Sequence, residues 1–420
     1  MKGSPRRHTA HLDPGKTPNM TLLERRWLYN FMVFIQEAAA WPVWLMAGVL
    51  LVIAVAVFAL GSLGGSSGSS PAPAAAAVVA VVLFLFSLGD WALLAWLPRD
   101  RRGFGPVAPQ LFILLIPRVL AALIAVLIAG WLGPATGLGL LGLAQIAGTV
   151  IYVWGLAVEP LNLSLTTLAV ETDRWPESAP PLRLLHISDI HLEREGRREA
   201  RLLDLVARAA PDLILLTGDY LSLSFTREAE AVRQVRALLG RLQAPLGVYA
   251  TLGSPPVDVR DVAPYHFEGD HIHLLRRDAV ELDLGDGRRL ALLGLDCTHD
   301  LAYDGEALRR VEALAPAGVP RLLLYHSPEL MPLAQELDVT LYLCGHTHGG
   351  QVRLPGYGAI FTSSATGKRY EMGRYEENGT TQYVSRGVGL EGLSAPRLRL
   401  FCPPEITLVT LQGTGADPAG

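Results

Sequence analysis

Cysteine is scarce: the 420 residues hold three, Cys297, Cys344 and Cys402, too far apart for a Cys-x-x-Cys metal or redox motif. That excludes a disulfide-built scaffold and suits buried thiols in a reducing compartment. Charge is sparse too, at 18% of residues, and a formal net charge of -4 gives no bias toward nucleic acid, so no such partner is expected. The chain shows no internal repeat and no long low-complexity tract. Within four long apolar stretches, near 41–63, 74–97, 110–132 and 137–158, the only charges are Asp90 and Arg118.

What is there in place of charge is apolar surface. Half the residues are hydrophobic and the mean hydropathy is +0.29, with the excess in the first 160 residues. Each of the four stretches meets the ~20 apolar residues a bilayer requires. A single stretch could be a signal peptide, but four in succession are not.

Loop charges set an orientation. Lys2, Arg6, Arg7, Lys16, Arg25 and Arg26 precede the first span, and Arg99, Arg101 and Arg102 fill the second loop. The first loop, "GSSGSSPAPA", and the third, "GPATG", carry no charge. An integral protein of the cytoplasmic membrane follows, with its N-terminus, second loop and everything after the fourth span in the cytoplasm. "LLERRWLYNFMVFI" (22–35), apolar at 23, 27, 31 and 35, predicts an interfacial helix or an extension of the first span. At ~1.5 Å per residue, Asp90 and Arg118 lie ~10–12 Å deep on antiparallel neighbours. They are expected to pair as a structural staple rather than to serve transport.

The organisation read from these shifts is an N-terminal cytoplasmic segment (1–40), a four-helix transmembrane bundle (41–158), a linker with an edge strand (159–181), a soluble domain (182–411) and a flexible tail (412–420). In the soluble part, apolar strand-like runs repeatedly stop at a polar residue. "LRLLHISDIH" ends in Asp189 and His191, "DLILLTGDY" in Asp219, "RLLLYHSPE" in His326, and "TLYLCGHTHGG" in His346 and His348. Helical stretches between the early strands predict an α/β domain whose strand ends converge on one edge. Imidazoles with carboxylates suit one or two divalent ions of the Mn, Fe or Zn kind. Two such ions can clamp a phosphate and activate hydroxide for in-line attack.

Asp189-x-His191, Gly218-Asp219, His326 and Gly345-His346-x-His348 resemble the motif series of the calcineurin-like metallophosphoesterases. "GGQVRLPGYGAIF", "YVSRGVGLEG" and "PPEITLVTL" resemble that family's membrane-anchored bacterial branch, which is similar to phosphodiesterases and UDP-2,3-diacylglucosamine pyrophosphatases. The likeness covers roughly 160–411. It implies a four-layer α/β/β/α sandwich with two mixed sheets. It also implies a first metal on Asp189, His191 and His348, a bridging Asp219, and a second metal on His326 and His346. Catalysis would fall to Asp219, His326 and His346.

One motif departs. After "GVYATL", where the family has Gly-Asn-His-Asp/Glu, this chain reads Gly253-Ser254-Pro255-Pro256. Ser254 stands for the asparagine that binds the second metal and is a doubtful ligand. Pro255 stands for the histidine that assists phosphate binding and protonates the leaving group, and has no side-chain donor. His266, His271 and His273 in "YHFEGDHIH", and Asp258, are the nearby substitutes in sequence. Two functions follow. One is a membrane-anchored phosphoesterase hydrolysing a phosphodiester or pyrophosphate of a lipid-linked substrate. The other is a metal-binding regulatory protein with impaired catalysis.

Overall fold

The computed structural model describes residues 6–9, 27–63, 73–269, 271–285 and 287–414. Residues 22–26 of the expected interfacial helix, most of the first loop and the last residues of the tail lie outside these. The chain divides into two compact units. One comprises Trp27–Val158 with Glu391–Leu398; the other comprises Glu159–Leu390 with the described parts of Met1–Arg26 and Arg399–Gly420.

The first unit is helical: α1 (Trp27–Gln36), α2 (Val43–Leu63), α3 (Pro73–Trp96), α4 (Val107–Leu132) and α5 (Pro134–Val153). Four of its helices are long and apolar enough to cross a membrane. Helix is the form such runs must take in hydrocarbon, where every backbone N–H and C=O needs an internal partner. The fourth runs to Leu161, beyond the expected 158, because a π turn (Trp154–Val158) and a 3-10 turn (Glu159–Leu161) continue it. Leu50, Leu83, Leu111, Ala122 and Leu141 form the inner core. Val52, Val55, Leu127, Leu143 and Ile146 stay exposed, an apolar surface suited to lipid.

Asp90 and Arg118 do pair. The guanidinium donates to both carboxylate oxygens, Nε to Oδ2 at 2.5 Å and Nη2 to Oδ1 at 2.6 Å. Nη1 donates to the Gln145 carbonyl and to Oε1 at 3.0 and 2.7 Å, and Nη2 also reaches Thr149 Oγ1 at 3.0 Å. All five N–H groups are thus used. The Tyr152 ring lies 4.9 Å from the guanidinium. A cation with no spare donor is a staple, not a binding site.

The second unit is α/β, with two mixed sheets. Strands β1 (Arg6–Thr9), β7 (Asp278–Gly285), β8 (Arg288–Gly294), β9 (Arg321–Leu324), β10 (Leu341–Cys344), β14 (Thr380–Val384) and β13 (Gly373–Glu377) lie side by side in that order. The other sheet orders β2 (Ser164–Glu171), β15 (Glu405–Gln412), β3 (Leu182–Ile187), β4 (Leu213–Leu216), β5 (Val248–Ala250) and β6 (Ile272–Leu274). A small hairpin, β11 (Arg353–Leu354) and β12 (Gly358–Ala359), stands apart. Strands β3 to β6 run parallel, as do β8, β9, β10 and β14.

Period-two patterning builds the layers. Leu213 and Leu215 face Leu322, Leu324, Leu341 and Leu343 in the core between the sheets. Their neighbours Ile214 and Leu216 face outward onto α6 (Arg197–Ala209) and α7 (Ala229–Leu239). Leu323 and Tyr342 likewise face α8 (Leu301–Glu312) and α9 (Met331–Glu336). The result is the α/β/β/α sandwich.

His186 on β3 is wholly buried, with Nε2 2.8 Å from Thr217 Oγ1, and burial lowers its pKa to about 3. It stays neutral when folded but takes a proton near pH 6.5 when unfolded. Its contribution to stability is therefore full above pH 6.5 and lost as pH falls toward 3. Between pH 7 and 4, the parent should lose more apparent melting temperature than His186→Leu. Parallel profiles would refute this.

Candidate functional site

The C-terminal ends of β3, β4 and β5 from one sheet, and of β9 and β10 from the other, bring the residues expected from sequence to one edge. Asp189 and His191 follow β3, Asp219 follows β4, and Gly253 and Ser254 follow β5. His326 follows β9, and His346 and His348 follow β10. Backbone bonds lock these loops together: Asp189 N to Gly218 O at 3.0 Å, His191 N to Asp219 O at 3.0 Å, and Gly345 N to His326 O at 2.8 Å.

Two triads result, Asp189 with His191 and His348, and Asp219 with His326 and His346. All six side chains are buried, none more than 6% exposed. Nε2 of His191 and Nε2 of His348 stand 3.1 Å apart, with Asp189 Oδ1 3.4 Å from the latter. Asp219 Oδ2 lies 3.2 Å from His326 Nε2 and 3.7 Å from His191 Nε2, between the triads. Asp189, His191, Asp219, His346 and His348 all have left-handed φ, from 41° to 68°. Such backbone is costly for non-glycine residues and clusters where function demands it.

Neighbouring groups orient these side chains. His326 Nδ1 donates to Thr217 O at 2.8 Å, which leaves Nε2 turned toward Asp219. Asp189 accepts the His346 N–H at 3.1 and 3.2 Å. Close approach requires glycine at two points. A Cβ on Gly345 would stand 1.9 Å from Asp189 Oδ2, and one on Gly253 would stand 2.2 Å from Asp219 Oδ1. The glycine of the departed motif is therefore kept for space.

The electrostatics favour a cation. Burial pushes Asp189 up to about 6 against the pull of His326. Burial alone would raise Asp219 as well, but His326 and the other imidazoles hold it well below the usual carboxylate range. Burial would lower His326, yet Asp219 and then Asp189 push it up to about 10. His191 is lowered to about 4, chiefly by burial. Buried carboxylates faced by converging imidazole nitrogens are a donor set that fits one or two divalent ions.

The Ser-Pro-Pro turn still grips the centre through its backbone. Ser254 N–H donates to Asp219 Oδ1 at 2.6 Å. Asp258, wholly buried, accepts from the N–H groups of Asp219, Gly253 and Tyr220 at 2.8, 2.7 and 3.0 Å. It anchors the loop that carries Asp219 rather than standing in for an imidazole. The other substitutes lie elsewhere. His273 stacks on Tyr249 at 4.8 Å, His266 is buried beside Phe267, and His271 is exposed.

Two residues were not selected from sequence. Glu329, in "HSPEL", accepts from Ser364 Oγ at 2.8 Å and from Ala365 N–H at 2.9 Å, and so ties that loop beside His326. His299, in "LALLGLDCTHD", lies with its Nε2 3.1 Å from Ser254 Oγ. Its strand run ends in a polar residue like the others, which was the available signal.

Residues 182–356 match the calcineurin-like phosphoesterase superfamily domain. The chain is 30% identical over 269 residues to the uncharacterised metallophosphoesterase YkuE of Bacillus subtilis strain 168, across 63% of this chain and 90% of that one. It is 29% identical over 241 residues to phosphodiesterase YaeI of Escherichia coli K12, across 56% and 84%. It is also 29% identical over 286 residues to a transmembrane protein with metallophosphoesterase domain from Bos taurus, across 64% and 62%.

Proposed function

The chain belongs to the calcineurin-like phosphoesterase superfamily, and from that premise we propose that it is a membrane-anchored, metal-dependent phosphoesterase that hydrolyses a phosphodiester or pyrophosphate bond of a lipid-linked substrate. The observation carrying this is the pair of triads sharing Asp219 between them. Asp189, His191 and His348 would hold one ion and His326 and His346 the other, with Asp219 reaching both. Ions there would polarise the phosphate and lower the pKa of an attacking water.

The protein's own groups do the rest. Thr217 O fixes the His326 ring, the His346 N–H fixes Asp189, and the Ser254 N–H fixes Asp219 Oδ1. The ligand set is thus preorganised before substrate arrives. We assign this unit to the cytoplasmic face from the Arg-rich second loop and the uncharged first and third loops.

The lipid reading is supported by the surface beside the His348–Gly350 turn. Leu354, Tyr357, Ile360, Phe361 and Phe401 are 46–60% exposed. Lys368 Nζ lies 3.6 Å from the Tyr357 ring centroid. Apolar side chains with a cation at their edge suit an acyl chain below an anionic head group. The triple variant Tyr357→Ser, Ile360→Ser, Phe361→Ser should raise KM for a long-chain phospholipid diester about tenfold or more and leave bis-p-nitrophenyl phosphate unaffected. Equal effects on both substrates would refute lipid recognition here.

The test of the activity is metal content and hydrolysis of bis-p-nitrophenyl phosphate by the full chain. Metal in both triads, with turnover that Asp219→Asn abolishes, supports the enzyme. One ion or none, without turnover, supports the metal-binding regulatory protein.

A further inference from the structure

We propose that His299 is a substrate-contacting residue of this site, supplying from the end of β8 the imidazole that the Gly253-Ser254-Pro255-Pro256 turn lacks, and donating a hydrogen bond to the phosphate. The inference rests on the phosphoesterase reading above.

Position comes first. His299 Nε2 meets Ser254 Oγ at 3.1 Å, on the residue that stands where a metal-binding asparagine would be expected. Its ring packs on that of His346, with centroids 4.7 Å apart. The six side chains of the two triads are buried, whereas His299 is half-buried. Its φ of 60° places it among the left-handed residues of the site.

The support around it is rigid. Cys297 N–H donates to Leu252 O at 3.0 Å, which joins the end of β8 to the strand leading into the turn. Arg260 Nη2 bonds both Gly253 O, at 2.9 Å, and Cys297 O, so one guanidinium clips the two loops together. Thr298, before the histidine, bonds Asp304 through its N–H at 2.9 Å and its hydroxyl at 2.6 Å. Asp300, after it, caps α8 by accepting from Ala302 N–H and Tyr303 N–H at 3.1 Å each. A residue held in left-handed backbone between two such anchors is positioned, not incidental.

Ser254 and His299 together make a hydroxyl and a ring nitrogen that converge at the second triad. Pro255 brings no side-chain donor of its own to that turn. The contact is a hydrogen bond only; His299 forms no covalent bond with the substrate.

The experiment titrates inorganic phosphate into the full-length, metal-loaded protein by calorimetry, for the parent, His299→Asn and His299→Gln, with metal counted in each. Asparagine tolerates the left-handed backbone but is too short to reach the phosphate; glutamine offers a longer amide donor. His299→Asn should weaken phosphate binding about tenfold or more, with metal content unchanged and hydrolysis of bis-p-nitrophenyl phosphate reduced about 10²-fold. His299→Gln should recover part of the phosphate affinity. Unchanged phosphate affinity in His299→Asn overturns the proposal, as does loss of metal in that variant or a parent that takes up no phosphate. A parent that binds phosphate through His299 yet hydrolyses nothing counts against the enzyme reading and leaves the contact standing.

Discussion

Asp219→Asn should reduce phosphodiester hydrolysis at least about 10²-fold, the scale set by removing one preorganised electrostatic stabiliser, and should release metal from the second triad. The substitution is nearly isosteric. Its amide oxygen can still accept the Ser254 N–H that Asp219 Oδ1 accepts at 2.6 Å, so the Gly253 turn keeps its anchor. What changes is the other oxygen, which faces His326 Nε2 at 3.2 Å and His191 Nε2 at 3.7 Å. An NH₂ group there cannot bind a cation, and the negative charge common to both triads is gone. Metal analysis and turnover on one preparation check both parts. A variant with full metal content and parental turnover would remove Asp219 from the proposed centre.

Asp90→Ala should destabilise the helical unit by about 3 kcal/mol, because it leaves a buried guanidinium without its carboxylate. Gln145 and Thr149 would still take three of the Arg118 N–H groups, but the bidentate pair at 2.5 and 2.6 Å would be lost. The double variant Asp90→Ala, Arg118→Leu should cost less than the single one, since no charge then remains buried. That non-additivity distinguishes a charge pair from simple packing. Apparent melting temperatures in detergent provide the measurement. An Asp90→Ala protein that melts with the parent would refute the staple.

The membrane spans were legible because hydrocarbon imposes a length and a composition on each helix independently of the others. The Asp90–Arg118 pairing followed from depth alone, although Gln145, Thr149 and Tyr152 did not, since neutral side chains carry no comparable signal in a run of apolar residues. Strand ends bearing Asp189, Asp219, His326, His346 and His348 were legible for a similar reason: a polar residue closing an apolar run marks the edge of a sheet. Along the chain Asp258 offers itself only as a replacement for an imidazole. Its three backbone bonds became visible once β4 and β5 were set side by side.

His299 marks the boundary between these two kinds of information. Read along the chain, the Gly253-Ser254-Pro255-Pro256 turn lacks a histidine, and the nearest candidates are the neighbours at 266, 271 and 273. Proximity in sequence was the wrong measure, since β6 carries His273 to Tyr249 instead. Ser254 and His299 are 45 residues apart and belong to different sheets, and they meet because both sheets end at the same edge. Apolar periodicity sufficed to specify which segments become spans and strands, because burial acts on each segment by itself. Which side chains share the centre depended on the packing of one sheet against the other, which no single stretch of the chain encodes.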